Sequence, residues 1–273
     1  MSSWVYQLQG VDIDQLASSA FDLAVLDAED DDGEPWTAVD LDRLASGDRI
    51  VLAYLSIGEA EDYRDYWDPD WDADGDGVPD AGAPGWLADE NPDWEGNYLV
   101  RFWEPAWQEV IGARLDAIVT AGFDGAYLDI VDGYERWQDD GRPGAATDMA
   151  SFVTTLADRA RAQDPGFLMF PQNASGILGE LDERDAAEYL DVVDGIGAED
   201  TFFFGDAEHD NPYDPQTETI AFLDRFVAAG DVVLAVDYLT DPSAIDRFVD
   251  EARKHGYVPY AGTRELDRIV LQP

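Results

Sequence analysis

The sequence has no cysteine, two histidines and a single lysine, Lys254. Without cysteine there is neither a disulfide framework nor a thiolate nucleophile. Basic residues are scarce: 16 Lys and Arg stand against 61 Asp and Glu, a formal net charge of −45. With no basic patch, nucleic-acid binding is not expected. No apolar run is long enough to cross a membrane, so no membrane partner is expected. G-x-S-x-G, H-E-x-x-H and phosphate-loop patterns are missing, which disfavours a serine hydrolase, a zinc peptidase and a nucleotide enzyme.

The chain is not disordered despite its charge. It is 45% hydrophobic and carries nine Trp, twelve Tyr and twelve Phe among 273 residues, whereas disordered chains are poor in aromatics. Acidic residues are spread along the whole length, the composition of a protein from a salt-loving organism. The rival reading, an acidic face for a cationic partner, would concentrate them. "MSSWVYQLQG" enters a strand-like segment with no charged n-region or apolar h-region. As written, the expectation is a cytoplasmic monomer, secreted if a signal segment has been removed.

Short apolar runs alternate with amphipathic stretches. Strand candidates begin at positions 4, 23, 50, 124, 167, 192, 232 and 257. Between them, Trp107, Ile111, Leu115 and Ile118 share one helical face, as do Met149, Phe152, Val153 and Leu156, and Ile245, Phe248, Val249 and Ala252. Asp241 before Pro242 reads as a helix start, and Gly122 and Gly256 as helix stops. Eight such units predict an α/β fold, a (β/α)₈ TIM barrel in a single domain over residues 1–273. An extra strand candidate at 98 falls in an insertion of approximately 60–104, between the third and fourth strands. An open doubly wound sheet is the runner-up, weakened because no G-x-G-x-x-G follows the first strand.

Barrel active sites form at the C-terminal strand ends. Polar side chains close nearly every predicted strand: Gln7, Asp27, Ser56 and Glu59, Asp129 and Asp132, Asn173, Glu199 and Asp237, with Tyr260 on the eighth. Carboxylates beside Tyr54, Tyr127 and Tyr238 suit a sugar site, where two carboxyl groups divide acid and nucleophile or base roles. In so acidic a chain, any one of these is as readily a helix cap or loop residue. Asp129 and Glu199 stand out because each closes an apolar strand. Asp27 and Asp237 read equally as ligands or structural pairs, and Asp132, Glu135 and Asp200 read as structural.

"YQLQG", "VLAYLSIGEAEDYRDYW", "GFDGAYLDIVD", "VVLAVDYL" and "YVPYAGTRELDRI" resemble, in order, glycoside hydrolase family 114, the endo-α-1,4-polygalactosaminidases and their uncharacterised prokaryotic relatives. The resemblance implies hydrolysis of α-glycosidic bonds in a galactosamine-containing or related polysaccharide, with no cofactor in the chemistry. It implies that Asp129 is the fourth-strand nucleophile, if configuration is retained, and Glu199 the sixth-strand acid/base, with Asp200 as the alternative. Tyr54, Glu59, Arg64, Asp27, Asp237 and Tyr238 would line sugar subsites, with Gln7, Asn173 and Tyr260. Arg64 is equally an ion-pair partner for one of the acids. A non-catalytic carbohydrate-binding barrel is the alternative function.

"DADGDGVPD" matches the start of a calcium loop at Asp72, Asp74, Asp76 and Asp80, but its twelfth position is Ala83, so an EF-hand is not expected and a structural calcium turn is the secondary reading. An Asp-rich solvated loop is the leading one, because acidic composition inflates such matches. His209 reads as a loop residue and His255 as a helix-end residue.

Overall fold

Eight of the apolar runs form parallel strands: β1 (Trp4–Tyr6), β2 (Leu23–Asp27), β3 (Ile50–Ser56), β4 (Gly125–Asp129), β5 (Leu168–Pro171), β6 (Gly195–Glu199), β7 (Val232–Tyr238) and β8 (Val258–Gly262). The computed structural model describes residues 1–45 and 47–270. β1 to β5 pair in sequence order, as do β6 to β8. A bridge between Gln172 and Gly197 joins β5 to β6. On the other side the Trp4 indole donates to the Val258 carbonyl at 2.9 Å, joining β1 to β8. The ring of strands is therefore closed, as a (β/α)₈ barrel requires.

The connecting helices are α1 (Ile13–Ala17), α2 (Ala38–Leu44), α3 (Pro105–Ala121), α4 (Tyr134–Asp139), α5 (Ala145–Arg161), α6 (Ile177–Glu180), α7 (Glu183–Val192), α8 (Thr217–Ala229) and α9 (Pro242–His255). Among the described residues no helix follows β8. The helix signals act as the sequence implies. The Asp241 carboxylate accepts from the Ser243 and Ala244 amides, and Gly122 and Gly256 end α3 and α9 at φ 103 and 84.

Aromatic rings fill the space the strands enclose. Trp4 and Tyr6 lie 6.0 Å apart, Tyr6 and Tyr127 5.3 Å, and Trp4 and Tyr260 5.8 Å. Room for them comes from glycine: a Cβ on Gly197 would fall 1.8 Å from the Tyr127 hydroxyl, and one on Gly195 2.2 Å from the Phe170 ring. Large rings opposite missing side chains achieve the close packing that branched aliphatics usually supply.

Between β3 and α3 the chain forms a small antiparallel sheet, with Asn97–Val100 between Glu59–Glu61 and Leu87–Glu90. Tryptophans tie it to the barrel. Trp71 packs on Trp86 at 5.3 Å, Trp86 on Trp107 of α3 at 4.7 Å, and the Trp107 indole donates to the Ile57 carbonyl at 2.9 Å.

The charge of −45 repels itself at low ionic strength, and salt shortens the reach of that repulsion from about 10 Å at 0.1 M to about 3 Å at 1 M. Tm is expected to rise by about 5–10 °C across that range. A sodium chloride titration followed by calorimetry checks this; a flat or falling Tm contradicts it.

Candidate active site

At the C-terminal ends of the strands lies a cavity of about 450 Å³ whose walls include Tyr54, Glu59, Asp129, Asn173, Glu199 and Tyr238. Strand alternation explains why these side chains meet. Tyr127 faces the barrel interior, so Asp129, two positions on, does too; Gly197 likewise sets the direction of Glu199.

The backbone just beyond β4, β5 and β6 is sharply turned. Ile130, Asn173 and Asp200 have φ of 54, 59 and 48, left-handed values unfavourable for a side chain and costing about 1–3 kcal/mol each. Each lies beside or within the site. At Ile130 the turn lets its own amide donate to Asp129 Oδ1 at 2.8 Å. The turn also brings Ile130 against Gly58, where a Cβ would lie 2.0 Å from the Ile130 carbonyl oxygen. Two segments of the sequence, "LSIGE" and "YLDIV", are therefore fitted halves of one contact. Gly58→Ala is expected to cost about 2–3 kcal/mol and to displace Asp129. Urea unfolding with a turnover assay checks this, and an unaltered midpoint contradicts it.

Asp129 Oδ2 accepts from the Tyr54 hydroxyl at 2.6 Å. Glu199 is held from three sides: Oε2 accepts from Gln172 at 2.5 Å and Asn173 at 2.7 Å, and Oε1 from the Tyr238 hydroxyl. Gln172 is itself set from the barrel interior, its Oε1 accepting from Tyr6 at 3.1 Å. The Arg264 guanidinium lies 4.2 Å from the Tyr238 ring centroid and pairs with Asp200 at 2.9 Å. Burial raises the Asp129 carboxyl to about 8, with the negative charge of Glu199 adding to the effect and the Tyr54 hydrogen bond opposing it. Asp132 is raised to about 7 by burial and by Glu135 and Glu199, and burial also raises Glu59, which accepts from Asn91 at 2.8 Å.

Five nominated residues do not line this cavity. Gln7 follows Tyr6 and so faces the other way; its amide donates to the Gln9 and Gly10 carbonyls. Asp27 and Arg64 satisfy each other at 2.7 and 2.9 Å, and Arg64 also binds Glu61 at 2.8 Å and Glu29 at 3.1 Å. With its donors occupied, this guanidinium has nothing left for a ligand. Asp237 is fully buried and accepts the amides of Thr201, Phe202 and Phe203, fixing the turn after Glu199. Tyr260 belongs to the aromatic filling, its ring 5.8 Å from Trp4.

The sequence reading missed Gln172, although it adjoins Asn173, and took as structural an Asp132 that lines the cavity. It missed Tyr63, Trp94 and Arg264 of the cavity wall as well. In the Asp-rich loop, carboxylate oxygens of Asp72, Asp74 and Asp80 lie within 4.8 Å of one another. Asp76 is outside that group and accepts from the Val78 amide at 3.0 Å. His255 pairs with Asp224 at 3.0 Å at the end of α9, and His209 lies 3.4 Å from Glu265.

The family model for "Glycoside-hydrolase family GH114" matches residues 1–273. The chain belongs to glycoside hydrolase family 114. An uncharacterised protein of Deinococcus radiodurans is 39% identical over 271 residues, covering 98% of this chain and 82% of the relative. Among solved structures, the glycoside hydrolase domain of PelA from Pseudomonas aeruginosa is similar with a TM-score of 0.73 at 23% identity, covering 99% of this chain and 98% of that domain. Aspergillus fumigatus Ega3, in a complex with galactosamine, is similar with a TM-score of 0.73 at 19% identity, covering 100% of this chain and 95% of that one. At these identities the two structures speak for the (β/α)₈ fold alone.

Proposed function

We propose that this protein hydrolyses α-glycosidic bonds in a galactosamine-containing polysaccharide, with Asp129 and Glu199 as the reacting carboxyl pair. One observation carries the reading: two acids seventy positions apart in the sequence line the same cavity, and the charge of Glu199 helps to raise the Asp129 carboxyl. Membership of a glycoside hydrolase family supports the reaction class. Galactosamine bound to Ega3, together with carboxyl groups of Glu59, Asp129, Asp132 and Glu199 in the wall here, supports an amino sugar.

Glycosidic hydrolysis needs one protonated and one ionised carboxyl. Burial and the Glu199 charge hold the proton on Asp129, while Glu199 accepts three hydrogen bonds. If Asp129 is the nucleophile, sugar binding must shift that proton to Glu199. A second reading exchanges the two roles. Azide separates them in Asp129→Asn: a glycosyl azide of inverted configuration marks a lost nucleophile, and one of retained configuration a lost acid.

The direct test is release of reducing ends from deacetylated α-1,4-galactosamine oligomers. kcat/KM is expected to fall as pH rises through about 8, because the acid's proton is held up to that point and then lost. A rate still climbing well above that pH, or no cleavage at all, counts against the proposal.

A further inference from the structure

The protein has nine Trp, twelve Tyr and twelve Phe. Among the described residues one of each kind is exposed: Trp94 at 56%, Tyr63 at 63% and Phe204 at 50%. All three stand at the barrel mouth. Tyr63 and Trp94 line the cavity that holds Asp129 and Glu199. Phe204 lines a neighbouring hollow of about 280 Å³ that shares Asn173 and Glu199 with it. Past Trp94, Arg264 and Glu265 the central cavity meets a third hollow of about 650 Å³. Exposed rings add little to a core and favour aggregation. Rings left exposed for no reason would be scattered, not gathered around one site.

The local structure displays two of these rings on braced backbone. Trp94 tips the hairpin between Leu87–Glu90 and Asn97–Val100, where the Trp94 amide donates to Asn91 O at 3.2 Å and the Asn97 amide to Trp94 O at 3.1 Å. The Gly96 amide donates to the Glu90 carboxylate at 2.7 Å. Phe204 follows Phe202 and Phe203, both buried and both bound through their amides to Asp237. Tyr63 differs: its hydroxyl donates to Glu61 at 2.5 Å and Arg64 lies 5.0 Å from its ring centroid, so it is built as wall.

We propose that Trp94 and Phe204 are sugar-stacking platforms on two branches leading away from the carboxyl pair, so that several linked sugar units are held at once. This rests on the glycosidase reading and adds where the chain of sugars lies. The negative face of an aromatic ring attracts the C–H face of a pyranose, and an unacetylated amino group adds cation–π attraction.

Two measurements test it. kcat/KM is determined for a trimer and an octamer of α-1,4-galactosamine with the wild type, Trp94→Ala and Phe204→Ala. Each change is expected to lower the octamer-to-trimer ratio about tenfold, with thermal melting confirming an intact fold. Ratios within about twofold of wild type overturn the platforms. In parallel, acrylamide quenching reports the exposed indole of Trp94 in Asp129→Asn. The octamer is expected to protect it, and Phe204→Ala in that background to weaken octamer binding about tenfold. If the wild type cleaves neither oligomer, the catalytic reading fails separately. Quenching then decides the platforms: protection that Phe204→Ala weakens upholds them, and no protection overturns them.

Discussion

Asp129→Asn is expected to lower kcat on galactosamine oligomers by at least about 10³-fold and to make the protein more stable. Both effects have one cause. Burial and Glu199 raise the Asp129 carboxyl from 3.8 to about 8, so an unfolded chain releases this proton earlier than the folded one. The stability that Asp129 contributes is full below about pH 4 and is lost as pH rises through about 8. Asparagine keeps the shape and never ionises. Its gain is therefore absent near pH 4 and reaches about 1–3 kcal/mol near pH 8, less than the full shift implies because the cavity admits water. Calorimetry of both proteins across that range, beside a single-turnover assay, measures the pair of effects. An inactive variant with an unchanged pH–Tm curve would contradict the electrostatic account. A variant that keeps its turnover would remove Asp129 from the chemistry, whereas a wild type with no turnover to lose would favour a carbohydrate-binding barrel.

Arg64→Met is expected to cost about 3–5 kcal/mol, since removing one partner of a buried ion pair leaves uncompensated charge. Here three carboxylates lose the same cation: Asp27, Glu29 and Glu61. Glu61 also accepts from Tyr63, and both line the cavity, so KM should rise as stability falls. Combining Arg64→Met with Asp27→Asn should recover part of the stability, because one of the stranded charges is gone. Urea denaturation of the single and double variants decides this; strictly additive losses would show that the residues act independently.

The strands were legible because short apolar runs bounded by helix stops have few other solutions. Their closing carboxylates were legible because acid in such a run is costly. Strand parity was available in the sequence and would have sharpened the site. Tyr6 and Tyr238 face inward, so their neighbours Gln7 and Asp237 face away. Asp27 could not be sorted that way. Its register partner is Tyr54, a cavity residue, and only an arginine thirty-seven positions away takes it out of reach. Tyr260 stands on the inward side as well, but two residues below the end of its strand, within the ring packing. Trp94 gave no signal, since exposure is a property of the folded hairpin and not of the letters around it.

The glutamate proposed to handle the proton is gripped by Gln172, and Gln172 by the hydroxyl of Tyr6, whose ring is packed against Tyr127 inside the barrel. Packing and reactivity thus meet in the same few atoms. Grafting only the rim loops onto another eight-stranded barrel would leave both acids behind, because Asp129 and Glu199 are the last residues of their strands. A chemist redesigning this scaffold has to carry the strands and their packed rings along with the mouth.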